Sequence, residues 1–168
     1  MLNKLETGRE ENTCNPNETP ENSVDRMVRE IKQDFFRYRN GIIADSVKKL
    51  YPDGTMVFGL MVPQFIELSR KYPKDIKLGL KLWDESTSRE GRLFSLFLIP
   101  PKEIRFDKAK EMLLNVRSNE EAEFLAFRIL RNIPDARILY TELEKEEMKN
   151  PYASYCKEMF RKNLDLAQ

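Results

Sequence analysis

Residues 56–101 read MVFGLMVPQFIELSRKYPKDIKLGLKLWDESTSREGRLFSLFLIPP, and this stretch decides the fold. Its apolar side chains recur at helical rather than alternating spacing. Val62, Phe65, Ile66, Ser69 and Tyr72 share one face, with Pro63 in the first turn, where a missing N–H leaves no bond unmade. Ile76, Leu80 and Trp83 line a second segment. A third, residues 89–99, is apolar nearly all round through Leu93, Phe94, Leu96, Phe97, Leu98 and Ile99. A short helix of that kind is covered on more than one side. The spacing predicts three helices side by side, the third at the centre of the molecule.

The same period continues outward. Val24, Met27, Val28, Ile31, Phe35 and Tyr38 line a helix that Asn22 or Asp25 caps, and Asn40-Gly41 reads as its stop. Ile43, Val47 and Leu50 mark a short helix, and Pro52-Asp53-Gly54 a turn. Thr87-Ser88-Arg89-Glu90 and Ser118 with Glu121 are capping-box patterns, and Pro100-Pro101 ends the central helix. Further helices carry Ile104 to Val116, Ala122 to Ile133, Ala136 to Leu143, and, behind Asn150-Pro151, Tyr152 to Leu164. Residues 55–60 are the only strand candidate. Short helices joined by short loops make antiparallel neighbours. The expected fold is therefore all-α, a HEAT-like α-α superhelix, or short solenoid of antiparallel helix pairs, with a compact bundle as the alternative. Residues 1–21 have too few apolar side chains to offset their ordering entropy and read as a flexible tail; residues 22–168 form a single helical domain.

Composition narrows the chemistry. Among 168 residues, 40% are hydrophobic and 34% charged, with no run long enough to span a bilayer and no apolar leader block in residues 1–22. A cytoplasmic protein without a membrane partner is expected. The chain has no histidine, which removes Ser-His and Cys-His catalysis and His-containing zinc sites. Cys14 and Cys156 cannot build a thiolate zinc site alone and read as free thiols, so neither metal nor cofactor is expected. The formal net charge of +1 divides into −3 over residues 1–22 and +4 over the rest. A mildly basic body permits a nucleic-acid partner.

Phe58-Gly59-Leu60 followed by Pro63, and Leu82-Trp83-Asp84 followed by Arg89-Glu90 entering the apolar helix, resemble stretches of the DNA alkylation repair proteins of the AlkD type. The resemblance spans residues 58–130. It implies a HEAT-like solenoid with a concave basic surface for duplex DNA. In active members it also implies a metal-free glycosylase that removes cationic N3- and N7-alkylated purines without flipping the base into a pocket. Breaking that glycosidic bond leaves positive charge on the sugar, which a nearby carboxylate stabilises and an aromatic face assists. The family places a Trp and an Asp one helical turn apart. The matching place here reads Arg117-Ser118-Asn119-Glu120-Glu121-Ala122-Glu123-Phe124, with neither residue. Glu123 is the nearest carboxylate and the candidate catalytic residue, and Glu120 or Asn119 falls where the aromatic residue would stand. The resemblance implies duplex-DNA binding with weak or absent glycosylase activity. The alternatives are an active alkylpurine glycosylase using Glu123, and a helical protein-interaction scaffold.

Each singled-out residue also has a structural reading. Trp83 shares a stripe with Ile76 and Leu80 and suits a core. Glu120, Glu121 and Glu123 suit the positive end of a helix dipole. Asp84 and Glu85 suit ion pairs with Arg89 and Arg92 around a turn. Basic residues gather as Arg70, Lys71, Lys74, Lys77 and Lys81, as Lys102, Arg105, Lys108 and Lys110, and as Arg128, Arg131 and Arg137. If successive helices of a solenoid present equivalent positions to one surface, these clusters form a phosphate-tracking band, with Lys77, Lys81, Arg89, Arg92, Arg128 and Arg131 as the candidate DNA-binding residues. Otherwise these cations solvate outer faces.

Overall fold

The structure, a computed structural model, describes residues 20–52 and 54–166. Residues 1–19 of the tail expected over residues 1–21, and Asp53 of the expected turn, lie outside the described residues. The rest is all-α, as the periodicity predicts. The helices are α1 (Pro20–Arg37), α2 (Gly41–Lys48), α3 (Val62–Ser69), α4 (Ile76–Glu85), α5 (Arg89–Leu98), α6 (Phe106–Leu114), α7 (Asn119–Arg128), α8 (Ala136–Glu144) and α9 (Pro151–Asp165). Short 3-10 turns, Pro101–Glu103 and Leu130–Asn132, follow α5 and α7. Among the described residues, the one extended pairing is a parallel bridge between Met56 and Ser88.

The helices lie in two rows. In the inner row, α3 packs on α5, α5 on α7 and α7 on α9. In the outer row, ion pairs join neighbours: Lys81 to Asp25 (3.0 Å) links α4 to α1, Lys108 to Asp84 (3.0 Å) links α6 to α4, and Lys110 to Glu142 (2.5 Å) links α6 to α8. The α4–α5 hairpin joins the rows most closely. A Cβ on Gly79 would stand 2.3 Å from Ile99 Cγ1, so only glycine admits this approach. Helix α2 stands outside both rows and buries none of its residues.

Two apolar clusters share α5. One joins Ile31 and Phe35 of α1, Phe65 of α3 and Leu82 of α4 to Leu93, Phe94 and Phe97. The other joins Trp83, Leu96 and Ile99 to α6–α9 through Met112, Leu125, Leu139 and Phe160. All ten residues of α5 are buried, which is what a helix apolar on every side requires.

The expected caps form at Ser118 and Asn150, whose side-chain oxygens accept from the amides of Glu121 (3.1 Å) and Tyr152 (3.0 Å), and Ser88 caps α5 by accepting from the Gly91 amide (3.1 Å). Three expectations need correction. Helix α1 begins at Pro20, inside the segment read as tail. Asn40 starts α2 rather than stopping α1, with Oδ1 accepting from the Ile43 amide. The box read over Thr87 to Glu90 does not form, because Ser88 caps α5 one residue later and Glu90 bonds elsewhere, and the box at Ser118 is half-made, because Glu121 turns to other partners.

Candidate nucleic-acid interface

The first turn of α5 carries Arg89, Glu90 and Arg92, and all three side chains point inward. Arg89 is 5% exposed, Glu90 0% and Arg92 3%. The Glu90 carboxylate accepts the amides of Phe58 (2.9 Å), Gly59 (2.9 Å) and Leu60 (3.3 Å), and Arg89 Nη1 lies 2.9 Å away. Arg89 Nη1 also donates to the Leu60 carbonyl (2.8 Å). Its Nε and Nη2 fork onto Glu120 at 2.7 and 2.6 Å, and the Tyr51 hydroxyl donates to the same carboxylate. Arg92 pairs with Glu121 at 3.0 Å, donates to the carbonyls of Trp83 (3.1 Å) and Asn115 (2.9 Å), and lies 3.5 Å over the Trp83 ring.

Arg89 and Arg92 are therefore not part of a phosphate band. Their guanidiniums hold the first turn of α7 and the 58–60 loop against α5. Nor do they pair with Asp84 and Glu85, which bind Lys108 and Lys81 instead. The two stretches that carry the family resemblance, Phe58-Gly59-Leu60 and Arg89-Glu90, bond directly to one another.

Burial pushes the Glu120 carboxyl up, but the Arg89 fork and the Tyr51 hydroxyl outweigh it and hold the group below its ordinary value. A depressed carboxyl stabilises the fold above its unfolded-state value and loses that contribution as pH falls through the folded one. Denaturant titrations are expected to show stability declining below about pH 4.5, with Glu120→Gln flattening that limb of the profile. An unchanged limb would mean that the Arg89–Glu120 fork does not form.

Glu123, the predicted catalytic residue, is exposed one turn into α7. It faces a groove of about 460 Å³ between α2 and the starts of α7 and α9, lined also by Leu50, Tyr51, Asn119, Glu120 and Tyr152. Its carboxylate accepts from the Tyr155 hydroxyl at 2.6 Å, which raises that hydroxyl above its ordinary value. One turn earlier stands Asn119, not an aromatic residue, and the only tryptophan is buried beneath Arg92.

The remaining predicted cations fall in two places. Lys77 and Lys81 lie on the outer face of α4 beside Glu21 and Asp25, where Lys81 is ion-paired. Arg128 and Arg131 lie where α7 ends. Arg128 Nε donates to the Leu96 carbonyl (3.2 Å) and its guanidinium sits 3.7 Å over Phe97. Arg131 sits 3.9 Å over the exposed Phe127 ring.

Three more cations of the basic clusters, Lys74, Arg105 and Arg137, join Arg128 and Arg131. Lys74 Nζ donates to the Phe97 carbonyl at 2.5 Å. Arg137 borders the same hollow as Arg131, and Arg105 borders the adjoining one across Ile133-Pro134-Asp135. These five share the end of the molecule where α5, α7 and α9 finish and α4, α6 and α8 begin. Lys74, Arg105 and Arg137 each stand within two residues of a helix start. Among the described residues, Lys74, Arg128, Arg131 and Arg137 have no carboxylate partner, whereas Arg105 reaches Asp107 at 4.0 Å. No protein-family model matches the chain, and neither a curated protein nor a solved structure matches it.

Proposed function

We propose that this chain is a HEAT-like protein of the DNA alkylation repair type that binds the backbone of duplex DNA, with weak or absent glycosylase activity. One contrast carries the reading. Outer-row Lys81, Lys108 and Lys110 are neutralised in ion pairs between helices, while Arg128, Arg131, Arg137 and Lys74 gather without an ion-pair partner among the described residues, although Asp135 lines the hollow of Arg131 and Arg137. Cations in excess along one edge make a field suited to a polyanion. The stacking of Arg128 and Arg131 on rings orients their donors at little entropic cost. The order α3, α5, α7, α9 supports a solenoid row, and the resemblance at Phe58-Gly59-Leu60 and Arg89-Glu90 supports the family. Weak or absent catalysis follows from Asn119 in place of an aromatic residue and from the Tyr155 hydroxyl already occupying Glu123.

Fluorescence anisotropy of a labelled duplex at several salt concentrations tests this. Affinity is expected to fall steeply with salt, and Arg131→Gln to reduce the log–log slope by about 0.9, the contribution of one neutralised phosphate. Lys77→Gln should leave the slope unchanged. Absence of binding at low salt would favour the protein-scaffold reading. Methylated DNA incubated with the protein should release no more 7-methylguanine than with Glu123→Gln. Release that this variant abolishes would establish the glycosylase.

A further inference from the structure

Two cations close over the C-terminal end of α5. Arg128, half-buried at the end of α7, donates through Nε to the Leu96 carbonyl. Lys74, in the link between α3 and α4, donates to the next carbonyl, that of Phe97. Consecutive carbonyls of one helix end thus draw both charges to the same place. The Phe97 ring under the Arg128 guanidinium fixes its plane at 3.7 Å and leaves both Nη groups without a protein acceptor among the described residues. The nearest carboxylate in sequence, Asp75, is turned away, with Oδ1 capping α4 at the Leu78 amide (2.7 Å).

A charge count shows what is missing. A helix C-terminus supplies roughly half a negative charge. Two full positive charges therefore stand over about a quarter of their complement. Elsewhere this chain pairs its inward-facing arginines with carboxylates, as Arg89 with Glu120 and Arg92 with Glu121. Burial lowers both Lys74 and Arg128, and the Arg128 charge lowers Lys74 further, as expected of neighbouring cations with no anion between them.

We propose that Lys74 and Arg128 form a binding site for a phosphoryl group, with the free Arg128 Nη donors and the remaining Lys74 ammonium protons as its ligands. A guanidinium fork held flat on an aromatic ring matches two phosphate oxygens, and the ammonium adds a point charge beside them. The group is a backbone phosphodiester if the duplex-DNA reading holds, on which that source rests, and a free phosphate ion otherwise.

The test is a titration of the full chain with inorganic phosphate, against sodium chloride at matched ionic strength, followed by NMR at the Arg128 Nε–Hε and at the Phe97 and Leu98 amides. A saturable shift with phosphate, absent with chloride, is the expected result. Lys74→Gln, at a linker position, should weaken it about tenfold, as for loss of one charge-assisted hydrogen bond. Arg128→Gln should abolish it, and Arg128→Lys should retain part of it and serve if Arg128→Gln does not fold. A shift that does not saturate, that chloride reproduces, or that Lys74→Gln leaves intact overturns the site. Competition of phosphate with a labelled duplex separates the two readings. Phosphate binding without duplex binding keeps the site and removes the DNA reading. Duplex binding without a phosphate response keeps the DNA reading and removes the site.

Discussion

Glu90→Gln is expected to destabilise the fold by about 3–5 kcal/mol, the cost of breaking a buried charge pair from one side. The carboxylate is fully buried and accepts three consecutive backbone amides while facing Arg89. A glutamine would turn its own amide donors toward some of these donors and leave Arg89 short of negative charge. The loop cannot swing aside to compensate. Gly59 sits at φ 84°, and a Cβ there would lie 2.2 Å from the Asn40 carbonyl oxygen and 2.7 Å from the Ala44 amide, so the loop is clamped between α2 and α5. Urea denaturation of wild type and variant gives the difference directly. A loss below about 1 kcal/mol, typical of an exposed ion pair, would mean that Glu90 is not the clamp.

Breaking the Arg92–Glu121 pair should be comparably severe. Arg92→Met is expected to cost about 3–5 kcal/mol, because Glu121, 1% exposed, would be left buried without its cation. The variant also loses the stacking on Trp83 and two bonds to backbone carbonyls. Glu121→Leu alone should be severe for the mirror-image reason. Together the two substitutions replace a buried pair by apolar groups, and the double variant should be more stable than the sum of the single losses by about 1–3 kcal/mol. Strictly additive losses in the denaturation cycle would show that the two side chains do not act as a pair.

The helices were legible because their signals are local. An all-round apolar run names α5, and Ser88, Ser118 and Asn150 announce the helices that follow them. The misreadings have physical causes. Asn is equally at home ending one helix and opening the next, and at Asn40 only the distance to the following helix decides. Arg89 and Arg92 looked like surface cations because their partners, Glu120 and Glu121, lie about thirty residues downstream. Long-range pairing leaves no local trace. The one available hint was the company they keep, charges at the head of a helix too apolar to have an outside. The candidate interface was legible at Arg128 and Arg131. Lys74, Arg105 and Arg137 were legible as members of basic clusters, but which members of those clusters meet at one end depends on where the helices stop.

Helix α5 borders both apolar clusters, and this limits how the chain can vary. Repeat proteins gain or lose whole units because each unit touches only its neighbours. A chain whose two apolar clusters share one helix lacks that freedom at its middle. Deleting the α4–α5 hairpin would open both interiors together, and cleavage between Ser86 and Ser88 would leave neither fragment closed. Severed halves of this molecule should need each other to fold, as complementing fragments rather than as independent pieces.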